Sequence, residues 1–325
     1  MSGVQIAIDR GGTFTDVHAS IPGQEDIILK VLSVDPANYS DAPTEGVRRV
    51  LEIVTGKPHP RGQALNTAPI QRIRMGTTVG TNALLERKGA RSALLVTRGF
   101  KDLLRIGNQS RPKIFDLKVA MPELLYQDVV EIDERVTLMG YTEDPYPKKI
   151  DAASDPELRV GLTGEIVRVI RTPDLAAAKE SLQKLWDDGY RSLSIVFLHS
   201  YVYPDHEQRV GALAREIGFS VVESAALQPM IKVVPRGTSA TADAYLTPII
   251  KAYINSISAN FEGGLAAEGL RCDFMQSNGG LVDFRSFSGL RSILSGPAGG
   301  VVGYAQTTWD ADRKKAVIGM DYHYP

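Results

Sequence analysis

The chain has only one cysteine, Cys272, in 325 residues. That excludes an intramolecular disulfide, and with it the small, stapled, secreted kind of domain. A lone cysteine in such a chain reads as a small buried hydrophobe. An excess of charge of one sign is also missing: 37 basic and 38 acidic residues leave a formal net charge of −1. Nothing in this balance points to nucleic acid or to an anionic membrane as a partner. No apolar run approaches the ~18 residues that suggest a membrane span. The first twenty residues carry Asp9, Arg10 and Asp16 and lack the apolar core of a secretory signal, so a cytosolic protein is expected. No internal repeat and no low-complexity tract is present. What remains is ordinary globular material, 43% hydrophobic and 23% charged, long enough for two domains or one large α/β domain.

The most informative stretch is Val4–Asp16, VQIAIDRGGTFTD. Val4, Ile6 and Ile8 alternate with smaller or polar residues and predict a strand with one buried side. Asp9 ends it, and Gly11-Gly12-Thr13 follow. Phe14, Thr15, Val17 and Ala19 predict a second strand, so the glycines turn a hairpin. A dinucleotide or Walker loop would instead run into a helix, and neither GxGxxG nor GxxxxGKS/T is found here. Adjacent glycines serve an ordinary hairpin turn without any ligand. The carboxylates at Asp9 and Asp16 and the hydroxyl of Thr13 favour a different use, holding a phosphate and its Mg²⁺.

Further along, Ile27–Val34 predicts a third strand, and a loop with Asp41-Ala42-Pro43 precedes a helix from Thr44 that Gly56 stops. Lys57–Ala68 is polar and rich in turn formers, an exposed excursion. Ile70–Met75 predicts a strand that feeds Gly76-Thr77-Thr78-Val79-Gly80-Thr81-Asn82 and then a helix. Any one of Thr77, Thr78 and Thr81 suffices to cap that helix. Three threonines plus Asn82 at one strand end exceed what capping needs, and a helix N-terminus suits an anion. Arg111 lies in a polar loop, where solvated arginine is the ordinary state.

Val129–Leu138 predicts one half-exposed strand, and Tyr141–Glu157 a loop. Leu175, Ala178, Leu182, Leu185 and Trp186 form the apolar stripe of a helix. Leu193–Leu198 and Phe219–Glu223 predict strands around a helix at Pro204–Glu216. In that helix His206 lies between Asp205 and Glu207, acids that the helix dipole explains without a metal. A long helical region opens at Val234-Pro235-Arg236, contains Asp243, and should kink at Pro248. Phe274–Gln276 predicts a strand ending in Ser277-Asn278-Gly279-Gly280. Ser295-Gly296-Pro297 starts a last helix. Strands alternating with helices indicate α/β architecture, mixed sheets with packed helices.

DRGGTFTD at 9–16, RMGTTVGTNALLERKGA at 74–90, LLVTRGFKDLL at 94–104, PRGTSATADAYLTP at 235–248, QSNGGL at 276–281 and SGPAGGVVGY at 295–304 resemble the hydantoinase/oxoprolinase family. SVDPANYSDAPTEGVRRVLE at 33–52 is similar to its oxoprolinase branch. The resemblance implies an actin/hexokinase/Hsp70-like ATPase fold. It implies a domain at 1–225 with the first phosphate loop, and at 226–325 the start of a core domain. It implies ATP and Mg²⁺ as cofactors: Asp9, Thr13 and Asp16 in catalysis, Gly11, Gly12, Thr13 and Thr15 at the phosphates, and Asp9 toward the metal, directly or through water. Thr77, Thr78, Asn82, Arg236, Asp243, Ser277, Asn278 and Gly279 would stand on the substrate side and converge near a cleft.

The implied reaction is ATP-driven opening of the lactam of 5-oxo-L-proline to L-glutamate, a step of glutathione turnover, in a homodimeric family. Opening of hydantoin and a non-catalytic fragment are the alternatives. Two positions depart from the pattern. Gly80 replaces a usual alanine, which implies a looser turn. Val317–Asp321 predicts a strand leading to a second phosphate loop, but Tyr322-His323-Tyr324-Pro325 follow. The expectation is of a truncated second lobe, and of a chain that by itself binds ATP weakly, is poorly soluble and releases no glutamate.

Overall fold

A computed structural model describes residues 3–108, 115, 122–140, 145–146, 150–310 and 316–319. In chain order the strands are β1 (Val4–Arg10), β2 (Phe14–Ser20), β3 (Ile27–Leu32), β4 (Ile70–Thr77), β5 (Ser92–Thr97), β6 (Asp128–Ile132), β7 (Arg135–Leu138), β8 (Leu158–Val160), β9 (Ile166–Arg171), β10 (Ser192–Val196), β11 (Ser220–Glu223), β12 (Arg271–Met275) and β13 (Leu281–Asp283). The helices are α1 (Ala42–Thr55), α2 (Val79–Leu85), α3 (Leu103–Ile106), α4 (Leu175–Asp187), α5 (Asp205–Ile217), α6 (Ser224–Leu227), α7 (Val233–Ser258), α8 (Gly289–Ser292) and α9 (Ser295–Thr307). Two compact units result, one from residues 1–89 with 249–325 and one from 90–248. The long helix α7 supplies residues to both.

The first unit is built on a mixed six-stranded sheet in the order β13-β12-β4-β1-β2-β3. Period-two alternation sets its two faces. Val4, Ile6 and Ile8 of β1 and Val17 and Ala19 of β2 point into a core with Val47, Val50 and Leu51 of α1 and Ile250, Ile254 and Ile257 of α7. Burying each such side chain contributes about 1.5–3 kcal/mol, so this face fixes the register of β1 on β2, in which Asp9 stands opposite Asp16. α1 starts two residues before the expected Thr44. Asp41 caps it by accepting the Thr44 N–H at 3.0 Å, and Pro43 sits in the first turn rather than in a loop. Gly56 ends it at φ 64°. The Lys57–Ala68 excursion is largely exposed, but Thr67 is buried and Leu65 enters the core, bonded through its backbone to Asn260 and Glu262. Cys272 lies in that core, and burial pushes its thiol up to about 12.

The second unit carries a parallel four-stranded sheet, β11-β10-β5-β6, and a small antiparallel one, β7-β9-β8. Its central strands β5 and β10 read as continuous apolar runs because both faces are covered. α4 and α5 pack on one side; Leu104 and the Ala240 and Ala244 positions of α7 pack on the other.

Three expectations fail here for physical reasons. Val129–Leu138 is two strands in two sheets, broken at Asp133-Glu134. Glu134 is buried at the break, accepting from Thr97 Oγ1 and lying 2.7 Å from His206 Nδ1. Glu207 is no surface acid serving a helix dipole. It is fully buried, accepting from Phe197 N at 2.9 Å, Ser224 Oγ at 2.6 Å and Ala225 N at 3.0 Å. The expected strand at 317–321 is irregular over its described residues 317–319, where Gly319 sits against the Tyr304 ring. Asp321 lies outside the described residues, as do Arg111 and parts of the 141–157 loop.

Candidate functional site

The β1–β2 turn is held from below. Ser33 Oγ donates to the Gly11 carbonyl at 2.8 Å and is 2.9 Å from Thr15 Oγ1, while Ser33 N donates to the Thr13 carbonyl at 2.9 Å. Thr15 is therefore buried and occupied, and it supports the turn from inside. Neither glycine uses a left-handed conformation. Gly11 is needed for close approach: a Cβ there would stand 2.9 Å from the Phe14 carbonyl, to which Gly11 N donates at 3.0 Å. Gly12 and Thr13 are exposed, and among the described residues neither N–H has a hydrogen-bond acceptor.

The threonine-rich stretch at 77–82 meets this turn. Thr78 N and Oγ1 both donate to the Arg10 carbonyl, at 3.1 and 3.3 Å, and Asn82 Nδ2 donates to Thr78 Oγ1 at 3.4 Å. A Cβ at Gly12 would be 3.6 Å from that Asn82 nitrogen. The threonines do more than cap α2. Thr78 occupies the cap position without a side-chain capping bond, and Thr81 Oγ1 donates to the Ile293 carbonyl at 2.6 Å. The start of α9 is tied in as well, since Ser295 Oγ donates to the Thr77 carbonyl at 2.7 Å. Gly80 is no looser turn. It is buried in α2 with Ser292 occupying the place of its missing side chain.

Asp9 and Asp16 stand on the sheet face away from the core. They line an open cleft of about 860 Å³, together with Arg74, Gly76, Met75 and the first residues of α9. Gly76 makes room for the Asp9 carboxylate, which a Cβ there would approach to 3.0 Å. Asp16 is paired with Lys30 at 3.0 Å. Gly279, at φ +81°, also lines the cleft, and Asn278 Oδ1 accepts the Gly280 N–H to shape that turn. Ser277 Oγ is spent on the chain before α9, donating to the Arg291 carbonyl at 2.8 Å and accepting the Leu294 N–H at 3.1 Å.

Arg236 and Asp243 belong to the other unit, on the first part of α7, and both are buried. The Arg236 guanidinium is fully occupied: Nε donates to Ser224 Oγ at 2.9 Å, Nη1 to the Met230 carbonyl at 2.7 Å and Nη2 to the Phe197 carbonyl at 2.5 Å. Burial lowers its pKa from the usual arginine value.

Sequence reasoning missed Ser33, Ser295 and Arg74. It also missed Tyr253, whose ring lies under the Arg10 guanidinium at 5.3 Å and whose phenol burial pushes upward. Only Arg74 left a signal, a charged residue on the outward positions of β4.

The arrangement is a glycine turn, an acid at a strand end and a helix start around one cleft, on a mixed α/β fold. The pattern described as the hydantoinase/oxoprolinase N-terminal region matches residues 5–218, and the hydantoinase/oxoprolinase pattern matches 236–322. The chain belongs to the hydantoinase/oxoprolinase family. It is 52% identical over 322 residues to a 5-oxoprolinase of Saccharomyces cerevisiae, covering 98% of this chain and 25% of that protein. It is 53% identical over 320 residues to 5-oxoprolinase 1 of Arabidopsis thaliana, covering 98% and 24%. The chain thus spans about a quarter of the length of the curated relatives it matches. In fold it is similar to the ATP-dependent caprolactamase of Pseudomonas jessenii, with a TM-score of 0.67 at 24% identity, over 93% of this chain and 40% of that one. No described helix is long and apolar enough to cross a membrane.

Proposed function

We propose that the chain is the N-terminal, phosphate-holding part of an ATP-dependent lactam hydrolase that opens 5-oxo-L-proline to L-glutamate. The proposal extends to a homodimeric, cytosolic enzyme of glutathione turnover. The observation that carries it is the junction of the Gly11–Thr13 turn with Thr78 and Asn82 beside the Asp9 carboxylate. The names of the relatives that are about half identical over nearly the whole chain support the choice of substrate.

The residues fit a nucleotide phosphate. Side chains at Gly11 and Gly76 would crowd the Phe14 carbonyl and Asp9, and among the described residues the Gly12 and Thr13 N–H groups donate to no protein acceptor. When bound, Mg·ATP supplies the phosphoryl group that activates a poorly electrophilic lactam carbonyl. Gly12 and Thr13 would donate to phosphate oxygens at little cost in reorganisation, because Ser33 and Thr15 already hold the turn. Asp9 at the strand end would hold Mg²⁺, directly or through a water. Asp16, neutralised by Lys30, keeps the two facing carboxylates from repelling each other. Thr77, Thr78, Asn82 and the Ser277–Gly279 turn form the substrate side within the first unit.

The test is a chimera in which this chain replaces the matching quarter of the Saccharomyces cerevisiae relative. It is expected to release glutamate from 5-oxoproline with ATP and Mg²⁺, to leave hydantoin intact, and to lose turnover on Asp9→Ala with its fold unchanged. The 325-residue chain alone is expected to release no glutamate. A folded but inactive chimera, wild-type turnover with Asp9→Ala, or turnover of hydantoin alone overturns the reading.

A further inference from the structure

Arg74 is the one arginine of its neighbourhood without a task. It lies on the Asp9 face of the sheet, opposite Ala7 on β1 and Asp273 on β12. Its neighbours are committed: Arg72 Nε and Nη2 donate to Asp273 Oδ2 at 2.9 and 2.5 Å, and Arg271 Nε to the same oxygen at 2.9 Å. Among the described residues Arg74 has no hydrogen-bond or ion-pair partner. It lines the 860 Å³ cleft, whose remaining wall is largely apolar and includes Ala7 and Met275. Ala7 is too short to fill the space across from the guanidinium. A cleft with an unpaired cation and an apolar wall at one end and the Asp9 carboxylate at the other fits a small ligand with an apolar ring body and one anionic group.

Resting on the reading above, we infer that Arg74 determines specificity by holding the carboxylate of a carboxylate-bearing lactam, so that neutral cyclic amides are rejected. The planar guanidinium matches a carboxylate with two parallel bonds. Asp9 sets the direction. Ala7 and Asp9 are two residues apart along β1, about 7 Å, comparable to the span of a five-membered lactam with its carboxylate. The carboxylate is repelled from Asp9 and drawn to Arg74, which turns the amide end of the ring toward Asp9 and the Gly12–Thr13 turn. Met275 supplies an adaptable wall for the ring.

The test is titration calorimetry on the 325-residue chain without nucleotide, using 5-oxoproline and its neutral carboxamide, with Mg·ATP and inorganic phosphate as separate arms. The wild type is expected to bind the acid at least roughly tenfold tighter than the amide, the range of one charge-assisted contact. Arg74→Gln is expected to abolish that preference, and Arg74→Lys to restore part of it. Both variants should keep the wild-type melting temperature and Mg·ATP affinity, since the side chain is exposed. Equal binding of acid and amide, no binding of the acid by the wild type, or an Arg74→Gln variant that retains the preference overturns the inference. So does a variant weakened toward phosphate and Mg·ATP alone, which assigns Arg74 to the nucleotide. Failure of the chimera or of Asp9→Ala bears on the phosphate loop and leaves this acid–amide comparison standing by itself.

Discussion

Gly80→Ala looks harmless on paper, since it replaces glycine in a helix by the best helix former, a gain of at most about 1 kcal/mol. The structure predicts the opposite sign. A Cβ at Gly80 overlaps Ser292 Oγ and comes within 3.1 Å of Ser292 Cβ, with Ile250 Cδ1 at 3.6 Å on the far side. Ser292 is completely buried, and its hydroxyl donates to the Gly289 carbonyl at 2.6 Å. The hydroxyl must rotate away and leave its acceptor, and stranding a buried polar group costs about 1–3 kcal/mol. Backbone adjustment around the crowded Cβ pair adds to this. The expected net effect is a loss of roughly 1–2 kcal/mol, a fall in melting temperature of about 2–4 °C per kcal/mol for a unit of this size. Urea denaturation of Gly80→Ala, Ser292→Ala and the double variant checks it. With the hydroxyl already gone, the second change should cost much less, giving a favourable coupling of about 1 kcal/mol. A Gly80→Ala variant more stable than the wild type, or strict additivity in the cycle, refutes the reasoning.

Arg236→Lys should destabilise the chain by about 2–4 kcal/mol, because one ammonium cannot serve Ser224, Met230 and Phe197 together; urea denaturation within 0.5 kcal/mol of the wild type contradicts it. Burial raises the Glu207 pKa above the ordinary carboxylate value, so its contribution to stability is full below the unfolded-state pKa and is lost as pH rises through the folded one. Glu207→Gln removes that pH dependence and strands the Ala225 N–H at every pH. The wild type should therefore be more stable at acid pH, with an advantage that narrows as pH rises; an advantage that widens is the wrong sign. Ser33→Ala frees the Gly11 carbonyl and Thr15 hydroxyl. It should weaken Mg·ATP binding severalfold in calorimetry, with a stability loss of only about 1 kcal/mol; unchanged affinity means the turn is held by its backbone alone.

Local patterns were legible, and distant partners were not. The alternation in β1 and β2, the apolar stripe of α4 and the Gly56 stop all depend on neighbours a few residues away, and each stands where the sequence puts it. Glu207 was misread because the groups that need it, Phe197 N and Ala225 N, arrive from the ends of other elements. Asp133-Glu134 read as the middle of a strand because nothing in its own alternation tells of Thr97 or His206. The Gly80 reading failed similarly: its meaning lies in Ser292, which only the fold brings near. In the site, the glycine turn and its acids were visible as a motif. Their support by Ser33, and the free guanidinium of Arg74, depend on which face of the sheet each strand presents.

The Ala90 N–H donates to the Tyr245 carbonyl at 2.8 Å. The two ends of the second unit are therefore stitched together, and this governs the order in which the chain can assemble. The first unit must bring β12 beside β4, where Arg72 meets Asp273 across 201 residues. Closing that loop from a disordered chain carries a large entropic penalty. A second unit already folded presents its ends side by side and shortens the effective loop severalfold, a relief on the order of 1–2 kcal/mol by loop-closure scaling. Prior folding of the second unit therefore favours the pairing of β12 with β4 in the first. Slowing its folding should slow that pairing, and a short linker joining residues 89 and 249 should let the pairing proceed without it.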